Sequence, residues 1–241
     1  MKPSMCHLDH LLAIDTSSAQ TSIALLSRGE ILADAKLGQR NHAQWILPAI
    51  NTLLAEASLG FSELDAIVYG RGPGSFTGLR IGCSIAKGLA YAYDLPLIPL
   101  STLRIIAQQA YEQCDQSNVS GILSLINAHM NQLYWAYFDI SVLKNFEDGL
   151  CLSEPTSQDL IEEYLSDPGQ ISVPQEGSLI LTGVDFESFI AQLPPSIQKN
   201  TIGSLPLFPS AATMIKIASK SNAPIVDAKT ASLVYLNNPF A

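Results

Sequence analysis

The sequence predicts an α/β protein made of two related lobes, each with a mixed sheet flanked by helices. Short apolar strands alternate with segments whose apolar residues follow helical spacing, which is typical of helices packed on a sheet. A strand that ends in Asp or Asn, then a turn and a second strand, occurs at residue 15 and again at residue 127. The length of 241 residues suits one large or two small domains.

The first lobe is expected to cover residues 1–110 in the order βββαβαβα. Its strands are predicted as short apolar runs between turns, at 10–14, 22–26, 31–37, 66–69 and 95–100. Its helices are predicted from one-sided apolar stripes, at 43–57, 77–93 and 101–114. Pro48 removes one backbone hydrogen bond from the first of these helices, which therefore either bends or starts near it.

The second lobe is expected to cover residues 111–241. Its strands are predicted at 121–126, 133–140 and 179–181, and its helices at 158–165, 186–193 and 210–220. Residues 167–177 are rich in Pro, Gly and polar residues and predict a surface loop.

Charge and composition exclude several classes of protein. Lys and Arg number 13 and Asp and Glu 22, so the net charge is −9, and no basic run offers a grip on nucleic acid. The hydrophobic share of 47% excludes global disorder. No apolar run approaches the roughly 18 residues of a membrane span, and no such stretch precedes Asp15 as in a signal peptide. These features predict a cytoplasmic protein, with four widely spaced cysteines as reduced thiols.

A glycine-rich segment, GRGPGSFTGLR, lies between a predicted strand and a predicted helix, where phosphate loops occur. It has neither the Lys of a P-loop nor the last glycine of GxGxxG, since Thr77 stands there. The alternative is a tight strand-to-helix turn with Ser75 or Thr77 as the N-cap. The candidate phosphate-loop residues are Gly72, Gly74, Ser75, Thr77 and Gly78.

The turn after the first strand is a second candidate phosphate loop. Asp15 could hold magnesium or its waters, and Thr16 and Ser17 could donate hydrogen bonds to a phosphate. The alternative is a turn in which Asp15 binds its own backbone two residues on. The four histidines do not have metal-ligand spacing, and no Ser–His–Asp order or GxSxG occurs, so neither a metal site nor a catalytic residue is predicted.

The helix at 77–93 is apolar around most of its circumference, which predicts contact on a second side as well as with the sheet. Together with the helix at 43–57 it forms a predicted docking surface, on which Gly82 lies outside the chain's own core. The alternative is burial by other parts of the same chain. The predicted interface residues are Trp45, Ile46, Ile50, Leu53, Gly78, Gly82, Ile85, Ala86 and Leu89.

Several stretches together resemble the bacterial TsaB (YeaZ) family. They are LLAIDTSSAQTSIALL, NHAQWILPAI and GRGPGSFTGLRIGCSIAKGLAYAYDLPLIPLSTL, with INAHMNQLYWAYF, LFPSAATMIKIA and LVYLNN further along. The resemblance covers nearly the whole chain. It implies the actin-like fold shared with sugar kinases and chaperones, in which two related lobes form one molecule.

The resemblance also implies a function. Members act in making threonylcarbamoyladenosine in tRNAs that read codons starting with A. They are non-catalytic relatives of TsaD that bind and activate it, TsaE joins through the TsaD complex, and TsaC supplies the threonylcarbamoyl-adenylate. The same two helices are implied to form a homodimer in the absence of TsaD. No cofactor is implied, apart from weak nucleotide binding by the loops.

The sequence departs from the catalytic relatives and from the family in three places. Ser101 and Ile105 stand where TsaD has the histidines of its metal-binding HxxxH helix. Asn127-Ala128-His129 replaces the family's Asp-Ala-Arg, and an amide is a poorer magnesium ligand than a carboxylate. Residues before the first strand extend the family pattern, with Met5 as an alternative start.

Two enzymatic alternatives were weighed against this function. One is a phosphotransferase of the sugar-kinase type that uses Asp15 and the loop at 72–78. The other, a peptidase, has no nucleophile–base pair in the sequence to support it.

Overall fold

The computed structural model describes residues 8–38, 42–147, 162–174, 177–220 and 224–236, which fall into two compact units. Within those residues, the first unit comprises the chain up to 71, then 75–100 and 210–233. The second comprises 72–74, 101–209 and the chain from 234 onward. Each unit contains one five-stranded sheet.

The sheet of the first unit has the order β3-β2-β1-β4-β5. Its strands are β1 (His10–Asp15), β2 (Gln20–Ser27), β3 (Glu30–Leu37), β4 (Ala66–Gly72) and β5 (Leu97–Ser101). The central strand β1 pairs antiparallel with β2 and parallel with β4. The predicted antiparallel meander is therefore confirmed, and β4 and β5 extend it into a mixed sheet.

The sheet of the second unit has the order β10-β9-β6-β7-β8. Its strands are β6 (Gly121–Asn127), β7 (Leu133–Asp139), β8 (Tyr164–Ser166), β9 (Leu179–Val184) and β10 (Thr201–Pro206). β6 pairs antiparallel with β7 and parallel with β9, just as β1 pairs with β2 and β4. This repetition of one mixed sheet in two units is the actin-like fold, so the predicted fold class is confirmed.

The described residues contain six α-helices. They are α1 (His42–Glu56), α2 (Phe76–Tyr93), α3 (Thr102–Gln113), α4 (Ile140–Glu147), α5 (Pro195–Asn200) and α6 (Ala211–Lys220). Pro48 lies inside α1, which begins well before it. α1 and α2 share one core cluster with Ile23 of β2. The neighbouring Ser22, which points to the opposite sheet face, accepts a hydrogen bond from the Ala211 backbone N–H of α6, so α6 covers that face.

Two helices belong to a different unit from the strand that precedes them. α3 follows β5 but contacts β6, β7 and β9, because its apolar stripe, which includes Leu103 and Ile106, packs with Ile122 and Ile126. α6 follows β10 but contacts β1, β2 and β3. The units therefore separate at Ser101, and α6 returns to the first unit, whereas the predicted lobes are 1–110 and 111–241.

The predicted helix at 158–165 is wrong at its end, and its start lies outside the described residues. Residues 164–166 form β8, where the Tyr164 ring stacks on Trp135 at 4.5 Å and the Trp135 indole N–H donates to Ser166 Oγ. These contacts with a distant strand override the local helical pattern. Residues 187–192 form a 3₁₀-helix in place of the predicted α-helix, and α4, α5 and β10 were not predicted.

Candidate functional site

The turn between β1 and β2 is buried and bound to itself. Asp15, Thr16 and Ser17 are all buried. The Ser17 backbone N–H donates to Asp15 Oδ1 at 3.0 Å, and the Ser17 hydroxyl donates to the same oxygen at 2.8 Å. This is the Asp-capped turn that the sequence offered as the alternative to a phosphate loop.

The Asp15 carboxyl group has no exposed surface, which makes its ionised form costly. Burial raises the pKa of Asp15 to about 6, and the hydrogen bonds from Ser17 oppose this shift. In this arrangement the carboxylate faces protein on all sides. It is a structural group of the turn and is not open to a ligand in solvent.

Three glycines make room for this turn. A Cβ at Gly70 would collide with Asp15 Oδ2, one at Gly78 with the Thr16 carbonyl oxygen, and one at Gly82 with Thr16 Oγ1. The Thr16 hydroxyl also donates to the Gly78 carbonyl oxygen at 2.7 Å. The glycines therefore allow a close approach of the chain to itself, which is one of the two reasons for glycine at such positions.

The start of α2 has the predicted cap. Ser75 is the N-cap, since its side chain accepts the Gly78 backbone N–H, and the Ser75 N–H donates to the Ser17 carbonyl oxygen at 2.7 Å. Thr77 lies in the first helical turn and is exposed. Gly72 and Gly74 have φ of +103° and +156°, a backbone conformation that favours glycine. The two candidate phosphate loops thus hydrogen-bond to each other through Ser17 and Ser75.

Several predicted interface residues lie in the core of the first unit instead. Ile46, Ile50, Leu53 and Ala86 are buried in the cluster between the helices and the sheet. The expectation that Gly82 lies outside the chain's own core is wrong, because its Cα abuts Thr16. The alternative, burial within the same chain, therefore holds for this part of α1 and α2.

The remaining apolar surface of the two helices is still considerable. Trp45, Ile85 and Leu89 are half-buried, as predicted interface residues, and Ile81 joins them. Leu47 is 43% exposed and Phe76 is 55% exposed, although neither was a predicted interface residue. We call the outer surface of the two helices the α1/α2 face; its residues are Trp45, Leu47, Phe76, Ile81, Ile85 and Leu89.

A shallow groove of about 480 Å³ opens on the α2 part of this face. Its wall is formed by Phe76, Thr77, Arg80, Ile81, Ser84 and Ile85. The Arg80 guanidinium lies 3.8 Å above the centre of the Phe76 ring, which orients the ring at the groove's edge. Phe76 was missed because it precedes the predicted helix start by one residue, although an aromatic residue beside an apolar helix face is itself a signal for an interface.

The second unit has a turn that corresponds to the first candidate loop. The His129 backbone N–H donates to Asn127 Oδ1 at 2.8 Å, the same bond that Ser17 makes to Asp15. His129, Met130 and Asn131 all have positive φ, and Met130 is 94% exposed. Across the described ranges, no group of three or more His, Cys, Asp or Glu side chains could hold a metal ion.

The cysteines and the membrane question can be treated briefly. Cys83 and Cys114 are free thiols, and burial raises the pKa of both. Cys6 and Cys151 lie outside the described residues. Of the helices that the structure describes, none combines the length and the apolar character that crossing a membrane requires.

Comparison with known proteins places this arrangement among tRNA-modification proteins. A family model described as TsaD, tRNA N6-adenosine threonylcarbamoyltransferase, matches residues 32–199. The tRNA threonylcarbamoyladenosine biosynthesis protein TsaB of Haemophilus influenzae is 38% identical, over 86% of this chain and 84% of the relative. TsaB of Escherichia coli is 33% identical over 96% of both chains.

A solved structure agrees with these sequence relatives. YeaZ from Pseudomonas aeruginosa is 30% identical to this chain and superimposes with a TM-score of 0.76. The match covers 94% of this chain and 99% of that structure. Sequence and fold similarity therefore extend together over both units.

Proposed function

The chain belongs to the TsaB (YeaZ) family, and from this premise we propose that it is a non-catalytic subunit for threonylcarbamoyladenosine modification of tRNA. In this proposal it binds TsaD in the cytoplasm and holds it in an active state. The substrates are tRNAs that read codons starting with A, and TsaE joins through the TsaD complex. The observation that carries the proposal is the α1/α2 face, an apolar surface on a chain whose relatives are threonylcarbamoyladenosine proteins.

Two features of the structure support a role without catalysis. The positions of the TsaD metal histidines hold Ser101, whose side chain caps α3 through the Arg104 N–H, and Ile105, which is fully buried. Asp15, the acidic residue of the candidate phosphate loops, is enclosed by protein and bound to Ser17. Neither place offers an open ligand set for a metal or a nucleotide.

The α1/α2 face is the docking surface in this proposal. An aromatic ring at the edge of a groove, with isoleucine side chains in its wall, is the composition found at interface hot spots. Apolar side chains on two adjacent helices would gain free energy by leaving water. We therefore expect TsaD to cover this face, and a second copy of the chain to cover it when TsaD is absent.

A reconstituted modification assay tests the proposal. The mixture contains TsaC, TsaD, TsaE and tRNA, with or without this chain, and the modified adenosine is measured by mass spectrometry. We expect the chain to raise the yield when TsaD is present and to give none when TsaD is omitted. Modified adenosine in the mixture without TsaD would show that the chain is itself catalytic.

Direct binding separates the subunit role from the enzymatic alternatives. We expect a titration to show binding to TsaD, competition between TsaD and self-association, and no ATP hydrolysis by the chain alone. With a net charge of −9, tRNA binding without partners should be weak at physiological salt. ATP hydrolysis that Asp15→Ala abolishes would favour the phosphotransferase instead.

A further inference from the structure

The last described segment of the chain lies against the first unit. Val226 forms an antiparallel bridge with Leu97 of β5, in which each backbone N–H donates to the other carbonyl oxygen, at 2.8 and 2.9 Å. Ala231 is buried in the core cluster of α1, α2 and the sheet, and Val226, Ala228 and Leu233 pack against it. We call residues 226–233 the C-terminal strap.

Two side chains from different elements hold successive carbonyl groups of the strap. The Lys87 ammonium, on α2, donates to the Ala231 carbonyl oxygen at 3.0 Å. The Tyr69 hydroxyl, on β4, donates to the Ser232 carbonyl oxygen at 2.9 Å. The strap is thus attached to β5 at one end, and to β4 and α2 at the other.

The strap also has its own internal order. Asp227 Oδ1 accepts the backbone N–H groups of Lys229 and Thr230 and the Thr230 hydroxyl, and the Ala231 N–H donates to the Asp227 carbonyl oxygen. This compact turn sets the direction in which the Ala231 carbonyl points. The Lys87 contact is therefore made to a fixed acceptor, because the turn before Ala231 limits the backbone there.

α2 is fixed to the rest of the first unit at two places along its length. Near its start, the Thr16 hydroxyl bonds the Gly78 carbonyl oxygen and the Ser75 N–H bonds Ser17. In its second half, Lys87 bonds the strap. The half-buried residues Ile85 and Leu89 of the α1/α2 face flank Lys87 along the helix.

From this arrangement we infer that the Lys87–Ala231 contact is a positioning device for partner docking: the strap holds the second half of α2 so that the α1/α2 face is presented in one conformation. The inference rests on the proposed function, since it assigns a role to the strap in that docking. Binding by a preformed surface costs less ordering entropy than binding by a mobile one, so the contact raises affinity without touching the partner.

Lys87→Met is the variant that tests the inference, because methionine keeps most of the apolar stem and removes the donor. Lys87→Arg, which keeps a donor on a stem of similar length, is the rescue variant. Lys36→Met, on the exposed strand β3, is the matched control for the loss of one positive charge. Tyr69→Phe removes only the second bond to the strap.

Two measurements are made on the full chain. Hydrogen exchange of the α2 amides in the isolated protein reports whether the helix is held, and a titration with TsaD reports docking. We expect Lys87→Met to speed exchange in the second half of α2 and to weaken TsaD binding by about tenfold, the usual scale for losing one charge-assisted hydrogen bond. Lys36→Met should match the wild type in both, and Lys87→Arg should restore most of the affinity.

The possible outcomes separate the inference from the proposed function. If Lys87→Met leaves α2 exchange or TsaD affinity at the wild-type value, the strap is only part of the unit's core and the inference is overturned. If Lys87→Met merely lowers the melting temperature while the folded protein binds TsaD normally, the result is the same. If the wild-type chain does not bind TsaD, the proposed function fails and takes the inference with it.

Discussion

The two units share a strand order but differ in what covers one side of the sheet. Between β3 and β4 the first unit has α1, with 15 residues, and between β4 and β5 it has α2, with 18. At the corresponding places the second unit has, among its described residues, a three-residue 3₁₀-helix before β9, and a six-residue 3₁₀-helix and α5 before β10. Phe186, Phe189 and Leu193 from these short turns contribute to one core of the second unit.

This difference shows that covering the sheet does not require long helices. Short turns that carry large side chains cover the second sheet, so the length of α1 and α2 has another consequence. A long helix buries one side and leaves the opposite side available, and here that side includes the apolar residues of the α1/α2 face. The first unit therefore has the docking surface that we propose, although both units are built on the same plan.

The largest effect is expected where α2 meets the β1–β2 turn. Gly82→Arg would place a charged side chain against Thr16, a collision and an unpaired buried charge that cost more than about 4 kcal/mol. Since whole domains are stable by only about 5–15 kcal/mol, we expect the first unit to unfold. Circular dichroism and thermal melting would measure this.

Gly88→Arg is the matched control, because it makes the same change on the same helix, at a position where a Cβ meets nothing within 4 Å. We expect this variant to fold normally. If Gly82→Arg also folds and melts like the wild type, α2 does not pack on the turn as described.

The second prediction makes the turn of the first unit resemble that of the second. Asp15→Asn keeps an oxygen for the Ser17 N–H, as Asn127 does for His129. Because burial raises the pKa of Asp15 to about 6, the folded wild type binds its proton more tightly than the unfolded chain does. Stability from this group is therefore full below about pH 4, the ordinary pKa of Asp, and is lost as the pH rises through about 6.

Urea unfolding between pH 4 and pH 7 measures this dependence. The shift corresponds to roughly 3 kcal/mol for the wild type, an upper value for a group that can relax on ionising. We expect the slope to disappear in Asp15→Asn. An equal slope in both proteins would assign the pH dependence to another group.

Much of the first unit could be predicted because its signals are local. The spacing of Ile46, Ile50 and Leu53 indicates α1, and the Ser101 hydroxyl in front of an apolar stripe indicates the start of α3. The buried role of Gly82 could not be predicted, because its neighbour Thr16 is far along the chain and a helical stripe does not say what each side faces. The strand β8 was missed for the same reason, since only the distant Trp135 stabilises it.

The third prediction compares two exposed apolar side chains, one in each unit. Phe76→Ala removes the aromatic edge of the groove on α2, and truncation of such an anchor typically costs about 2 kcal/mol, or some thirtyfold in affinity. Met130→Ala removes a more exposed side chain from the β6–β7 turn, and we expect TsaD affinity to change by less than about 0.5 kcal/mol. Calorimetric titration measures both, and equal losses would place the docking surface beyond the α1/α2 face.

The smallest effect concerns the turns that close two hairpins, and it has opposite signs in the two units. In the first, Arg28 and Gly29 between β2 and β3 have φ of +53° and +83°, so Gly29 stands at a position that suits it. In the second, three successive residues without this freedom, His129, Met130 and Asn131, adopt positive φ. A non-glycine residue in this conformation costs about 1–2 kcal/mol.

Met130→Gly should therefore stabilise the protein by about 0.5–1 kcal/mol, since the relief of strain exceeds the extra entropy that glycine gives the unfolded chain. The exposed Met130 side chain loses little packing in the exchange. Gly29→Ala should destabilise the protein by about 1 kcal/mol, because alanine must take a φ that its Cβ disfavours. Urea unfolding of the two variants tests the pair. A loss of stability in Met130→Gly would mean that contacts of the methionine side chain, and not tolerance of strain, explain its place in the turn.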